Sequence, residues 1–358
     1  MKKLSILFCA SILCLKGFGQ ENSSPFFSWS GYIETYYVYD FNKPEDSNRP
    51  PFVYSFNRHN EVNVNLGFLK GTYSSESLRA NMAIMTGTYA NANLAQEPGV
   101  LRNIFEANVG VKLSSNKNLW VDAGIFASHI GFESAIGKDS WNLTRSILAD
   151  NTPYFESGVK VSYTSDNEKW FVAGLFLNGW QRIHRQPGNS LPSFGTQVTY
   201  KPTDKVLINS STFIGTDSPD SARLMRYFHN LYAILQVSNK IGFTVGIDNG
   251  FQHAAPKSSS YNSWFSAIVI ARLTINDKAS MDFRAEYYDD EGGVIIPTGT
   301  PNGFKTTNLS SNFDVKISSH ALWRVELRNM MSKDPVFVRD DNLVKSNTCI
   351  TTSLCIHF

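Results

Sequence analysis

The residues of this chain that could do chemistry are seven histidines, a few acid clusters and four cysteines. His129 precedes Ser134, and His229 follows an aromatic pair; a His placed against a Ser or a carboxylate is the arrangement of nucleophilic hydrolysis. Neither lies in a GxSxG elbow or an HExxH helix, so the local geometry that sharpens a nucleophile or holds a catalytic zinc is missing. Asp289-Asp290-Glu291 and Asp340-Asp341 could attract a divalent cation, but without EF-hand spacing they read as solvated loop acids. Cys9 and Cys14 fall in the amino-terminal apolar run. Cys349 and Cys355 share one face of a strand about 20 Å apart, beyond disulfide reach. No cofactor and no metal site are expected.

The remaining charges recur at alternate positions, and that pattern points to the elements carrying them. LWRVELRN sets Trp323, Val325 and Leu327 against Arg324, Glu326 and Arg328; MDFRAEY sets Met281, Phe283, Ala285 and Tyr287 against Asp282, Arg284 and Glu286. FEANVGVKL puts Phe105, Ala107, Val109, Val111 and Leu113 opposite Glu106, Asn108 and Lys112. EVNVNLGF puts Val62, Val64, Leu66 and Phe68 opposite Asn63 and Asn65, and GYIETYYVYDF alternates in the same way. A helix would scatter these charges around its circumference, so the segments are strands.

The two ends add context. Lys2 and Lys3, an apolar run from Leu4 to Leu15 and Gly17-Phe18-Gly19 form a secretory signal peptide over residues 1–19, followed by one domain over 20–358. Phe8 and Leu13, which precede the two early cysteines, are too large for a lipoprotein signal. Loss of Lys2, Lys3 and Lys16 lowers the 33 basic residues to 30 against 31 acidic ones, a net charge of −1, which leaves no nucleic-acid footprint. At the other end, NTCITTSLCIHF places Ile350, Thr352, Leu354 and Ile356 on one face and stops on Phe358. A strand with no following partner must pair with something, and closure onto the first strand of a barrel would supply that pair.

Connections between strands alternate in length. Short polar turns near 74–77, 114–118, 165–169, 202–205, 238–242, 276–278 and 318–320 alternate with long loops near 42–59, 91–102, 129–153, 181–193, 217–226, 254–262, 291–303 and 334–346. This segregation, with aromatics at 13% and no apolar window of helical length after the signal, predicts an all-β chain. The expected fold is a transmembrane antiparallel up-and-down β-barrel of about sixteen strands.

GYIETYYVYDFNKP, RHNEVNVNLGFLKGTY, GIFASHIGFESAIGKDSWNLTRSILADNTPYFESGVKVSY and FLNGWQRI together resemble the second family of β-barrel porins of Gram-negative envelopes. The resemblance covers most of residues 28–215 and implies a barrel and a pore in the cell outer membrane, without naming a solute. The closing Phe358, with Ile356 and Leu354, resembles the signal read by the barrel assembly machinery. Other expected partners are outer-membrane lipid and lipopolysaccharide and small polar solutes.

Inward positions would carry Glu106, Lys112, Glu156, Lys160, Asp282, Arg284, Glu286, Asp314, Lys316, Arg324, Glu326 and Arg328. They would line a hydrated lumen for passive diffusion of small polar solutes or ions, or else form a salt-bridged plug in a narrower barrel. The longest loop, 129–153, is the third long one, and its Ile130, Phe132, Ile136, Trp141, Leu143, Ile147 and Leu148 are too apolar for free solvation. Folded into the lumen, it would present Glu133, Lys138, Asp139, Arg145 and Asp150 as a constriction. The alternatives are a barrel hydrolase, or an adhesin or structural anchor with a blocked lumen.

Overall fold

The computed structural model describes residues 25–358; the expected signal peptide lies outside them. The strands are β1 Phe26–Asp40, β2 Val62–Ser74, β3 Leu78–Thr86, β4 Ile104–Lys112, β5 Asn118–Ala127, β6 Phe155–Thr164, β7 Trp170–Leu177, β8 Ser193–Thr203 and β9 Val206–Gly215. They continue as β10 Arg226–Gln236, β11 Ile241–His253, β12 Tyr261–Asn276, β13 Ala279–Asp290, β14 Phe304–Ser318, β15 Ala321–Ser332, β16 Phe337–Arg339, β17 Asn342–Val344 and β18 Ser346–His357. Each of β1–β15 pairs antiparallel with its chain neighbours, β15 continues to β18, and β18 returns to β1, closing a barrel of sixteen strands. The hairpin β16–β17 stands apart in the last long loop.

Closure runs through Ile33 opposite Ile356, Thr35 opposite Leu354 and Tyr37 opposite Thr352. Beyond the register Gly31 and Phe358 exchange both backbone hydrogen bonds at 3.1 Å. No strand edge is left unpaired in the ring, which is the physical reason a barrel needs no edge protection. Among the described residues no helix is long and apolar enough to cross a membrane.

Alternation sorts the two faces of the wall. On β15 Trp323 and Leu327 are exposed outward while Arg324, Glu326 and Arg328 are buried inside. On β13 Phe283 faces out and Asp282, Arg284 and Glu286 face in; on β18 Ile350, Leu354 and Ile356 face out and both cysteines face in, unbridged.

Register shifts at Thr274/Asn276, Lys316/Ser318 and Tyr200/Thr203 lie beside short turns, whereas two others fall within the wall and move residues between its faces. Between Glu34 and Thr35 of β1 the pairing skips Asn65, and opposite Ala83 and Ile84 of β3 it skips Phe105. Each extra residue is a bulge, and one inserted residue moves everything beyond it to the other face. Val62 is therefore exposed outward, as alternation predicts, but Leu66 is fully buried, and Phe68 and Phe105 turn into the barrel and stack on each other at 4.8 Å. The bulge at Asn65 has a use: its amide donates to Glu34 at 3.0 Å and accepts the Phe56 backbone N–H at 3.0 Å, tying the first long loop to the wall. Gly87 sits over this bulge at φ +123°, where an added Cβ would lie 2.4 Å from the Asn65 carbonyl oxygen.

Candidate functional site

The third long loop, 128–154, connects β5 to β6 and runs through the barrel interior. Inside a barrel a loop has no neighbouring strand for its peptide groups, so wall side chains must serve as partners. They do so along β12–β15. Arg324 holds Asp314 through Nε at 2.7 Å and donates to the carbonyls of Gly137 at 2.8 Å, Ser140 at 3.0 Å and Trp141. Arg284 donates to the Thr144 carbonyl at 2.6 Å, the Thr144 hydroxyl at 3.0 Å and Glu326 at 2.9 Å. Glu326 in turn accepts the Thr144 N–H at 2.6 Å, and Glu286 accepts the Ile147 N–H at 2.8 Å. Arg328 links Glu286 at 2.6 Å to the Arg145 carbonyl at 2.8 Å, and Arg272 bridges Asp282 at 2.6 Å, Asp314 at 3.2 Å and the Trp141 carbonyl at 3.1 Å.

This half of the lumen is therefore filled by the loop. Asp282, Arg284, Glu286, Asp314, Arg324, Glu326 and Arg328 face inward as the alternation requires, but they are buried beneath the loop and do not line open water. The alternative of a salt-bridged plug describes this half better than the hydrated lining does. Such burial is sustainable because every guanidinium has a carboxylate or a carbonyl against it.

The five loop charges separate into two groups. Arg145 is buried and spends its guanidinium on loop carbonyls, Ser134 at 2.6 Å, Leu143 at 2.7 Å and Ala135 at 3.4 Å, so it braces the loop from within. Glu133 accepts the Ser146 N–H at 3.0 Å and is likewise buried. Asp150 ends a one-turn helix, Ile147–Asp150, and accepts from the Ser55 hydroxyl at 3.2 Å, the Tyr54 N–H at 3.3 Å and the Tyr154 hydroxyl at 3.2 Å. Burial pushes its carboxyl up to about 6, against the pull of Arg328 and Arg145. Lys138 and Asp139 instead pair with each other at 2.7 Å and stay exposed.

The stem of the loop is pinned by His129. Its Nδ1 lies 2.8 Å from a Glu156 oxygen and its Nε2 2.8 Å from the Thr212 carbonyl oxygen of β9. With Glu156 ionised both partners are acceptors, and an imidazolium, which donates from both nitrogens, satisfies both bonds. Burial is the largest single influence and works against that charge, but the Glu156 carboxylate and the hydrogen bonds to Glu156 and the Thr212 carbonyl together outweigh it and raise the pKa above the ordinary value. Gly195 of β8 leaves the room for the ring, since a Cβ there would lie 2.6 Å from Nε2.

Along β1–β6 the lumen stays open. A cavity of about 610 Å³ lies between the loop and this wall and reaches the short-turn end, where His357 and Phe358 border it. A second cavity of about 680 Å³ opens at the long-loop end between the first and last long loops. The two share no lining residue. On the inner face of β1 the first reaches Tyr32 and the second begins at Asp40, and between them Glu34, Tyr36 and Val38 are all buried. Of the other expected lining residues, Glu106 pairs with Lys70 and borders the first cavity, and Lys160 lies 4.7 Å over the Phe126 ring. Near the short-turn ends of β4 and β14 Lys112 stands half-buried and Lys316 exposed.

A family model described as "Putative beta-barrel porin-2, OmpL-like" matches residues 27–358. The chain belongs to this β-barrel porin family. No curated protein matches the sequence. Among solved structures, an anion-selective porin from Comamonas acidovorans aligns with TM-score 0.62 at 10% identity over 94% of this chain and 100% of that one. OmpT of Vibrio cholerae aligns with TM-score 0.60 at 10% identity over 95% and 99%. A triple mutant of the Rhodopseudomonas blastica porin aligns with TM-score 0.51 at 10% identity over 93% and 100%. At such identities the likeness is one of fold.

Within this porin the two histidines weighed for hydrolysis stand in different surroundings. His129 has both nitrogens bonded, and the Ser134 hydroxyl accepts the Ile136 N–H at 3.0 Å. His229 lies 2.8 Å from the Ser210 hydroxyl, with both side chains on the outer face of the wall and away from the lumen. Several residues that shape the porin lumen escaped the sequence reading: Arg272, the Arg79–Asp122 pair, Lys70 and Thr144. The first four lie on strand faces that the alternation could have marked. Thr144 carries no such signal, because its role exists only where the loop meets Arg284 and Glu326.

Proposed function

We propose that this porin is an outer-membrane channel of a Gram-negative envelope, through which small polar solutes or ions diffuse passively, with no catalytic step. The reading rests on one observation, a sixteen-strand ring whose third long loop crosses the interior and leaves open space beside β1–β6. A ring of this size is wide enough for an aqueous channel, and a loop folded inside sets its cross-section. The short turns then face the periplasm and the long loops the exterior. The loop, including Lys138 and Asp139 at its exposed turn, acts as the constriction, with Glu133, Arg145 and Asp150 keeping its shape.

A second reading, a barrel held shut as an anchor, draws on the buried band of Glu34, Tyr36 and Val38 between the two cavities. Single-channel recording in planar bilayers, with ion-selectivity and solute-exclusion series, separates the two. Discrete openings with a size cut-off support the channel; a protein that inserts and never conducts supports the anchor.

A further inference from the structure

Most outward positions of the wall are aliphatic or aromatic, as a surface against lipid requires. On β9–β11 three neighbouring ones are polar: Ser210, His229 and Asn249. Ile214, Tyr227 and Phe251 flank them toward the long loops, and Ile208, Leu231 and Ile247 toward the short turns. An ionisable side chain inside the apolar band is expensive and by default marks a functional site.

His229 Nε2 lies 2.8 Å from the Ser210 hydroxyl. For that hydroxyl to donate, Nε2 must be bare, which leaves the ring proton on Nδ1. Asn249 stands directly opposite His229 across the β10–β11 ladder, where Cβ atoms are about 4.5–5.5 Å apart, and its side-chain amide makes no hydrogen bond among the described residues. Its oxygen is thus available to hold Nδ1. On the other side Thr212 is directly opposite His229, and its hydroxyl lies 2.6 Å from that of Thr196. That pair uses one of its two hydroxyl hydrogens internally and keeps one to donate to an oxyanion. Nucleophile, base, orienting amide and oxyanion donor are the parts of an acyl-transfer site. No linear motif marks it, because its residues come from separate strands and meet only through their pairing.

Depth and surroundings name the substrate. His229 is one outward position below Tyr227, about 5 Å for a strand tilted by about 40°. Tyr227 and Tyr261, with ring centroids 6.2 Å apart, belong to the aromatic belt at headgroup level. The Ser–His pair therefore lies where the esters of a membrane lipid join its head to its acyl chains. Toward the short turns the outer wall has an apolar depression of about 630 Å³, bordered by Ile208 and Leu231 beside Ser210 and by the small Ala233, Ala267 and Ala285.

We propose that Ser210 and His229 form a lipid esterase site on the outer face of the barrel wall, which cleaves a carboxylic ester of a long-chain lipid whose acyl chain lies in this depression. Ser210 Oγ bonds to the ester carbonyl carbon as its proton passes to His229 Nε2. The bond from that carbon to the alcohol oxygen breaks, and His229 gives the proton to the departing oxygen. Water then attacks the acyl-serine, losing a proton to His229, which returns it to Ser210 Oγ as the fatty acid leaves. Asn249 is a positioning residue. The site faces lipid and not the lumen, so it goes beyond the passive channel and takes from that reading only the barrel's place in a bilayer.

The test is hydrolysis of 4-nitrophenyl dodecanoate and 4-nitrophenyl acetate by the purified full-length barrel in mixed micelles, with labelling by hexadecanesulfonyl fluoride read by peptide mass. In barrels that keep their heat-modifiable gel mobility, Ser210→Ala and His229→Phe should each lower kcat/KM for the dodecanoate by about a hundredfold or more. Asn249→Ala should lower kcat by about tenfold with KM unchanged. Ala267→Phe, which fills the depression, should raise KM for the dodecanoate and leave the acetate alone. The sulfonyl fluoride should label Ser210 in the unaltered protein. Unchanged hydrolysis in Ser210→Ala, or no hydrolysis and no label on Ser210 in the unaltered barrel, would overturn the site. An equal effect of Ala267→Phe on both esters would overturn the acyl groove. Hydrolysis that persists in a barrel that never conducts would sink the channel reading and leave the site standing.

Discussion

Arg284 and Glu326 sit 2.9 Å apart on strands separated by β14, and Thr144 of the third long loop is bonded to both. The ion pair thus serves as the clamp that keeps the loop inside the barrel.

Removing one partner of such a buried pair leaves the other charged and unpaired, which costs about 3–5 kcal/mol. Arg284→Ser should therefore release the loop, seen as new protease cleavage within 128–154 and larger single-channel currents in barrels that still fold. Placing Arg at the neighbouring outward Phe283 should cost about 2–4 kcal/mol if it lies near the bilayer midplane, with no change in loop protection. Loop cleavage unchanged in Arg284→Ser would mean that the clamp lies elsewhere.

Arg145 braces the loop through its own carbonyls. Arg145→Glu should accordingly behave as a loop-unfolding change, raising conductance with little ion preference, and deletion of residues 134–148 should raise it further. A pure reversal of ion selectivity at constant conductance would show instead that the Arg145 charge faces the permeating ion.

The His129 strut predicts a pH dependence of definite sign. The ring's folded pKa lies above its ordinary value of about 6.5, so its contribution is complete below that value and is lost as pH rises through the folded pKa. Above it one of the two donors disappears, and the bond to Glu156 or to the Thr212 carbonyl is broken. Amide exchange in the loop stem should speed up with alkaline pH beyond the intrinsic base catalysis. His129→Gln should abolish that excess, and Gly195→Ala, which crowds Nε2, should mimic the alkaline state at neutral pH.

Phe358 makes two backbone hydrogen bonds to Gly31 at the seam and presents an exposed ring. Its deletion should lower the membrane level of folded barrel far more than His357→Ser, as read by gel mobility with and without boiling. Equal levels of the two variants would remove Phe358 from any part in closure or assembly.

Period-two alternation is a property of neighbouring residues, so the sequence alone determined the strands, the inward and outward faces of β1, β13, β15 and β18, and the division into short turns and long loops. It also determined that the last strand needs a partner, because an unpaired edge is costly wherever it occurs. The bulges at Asn65 and Phe105 were not legible, since a bulge is defined by the pairing of one strand with another and leaves no mark in either strand by itself. Leu66, Phe68 and Phe105 consequently changed faces. The apolar residues of 129–153 marked a loop that had to pack against something. Only the tertiary structure brought Thr144 to Arg284 and Glu326, and His129 to Thr212, contacts that span 140, 182 and 83 residues. Those contacts depend on barrel closure, which places distant strands around one interior and leaves the loop's peptide groups no partners except the charges of the wall.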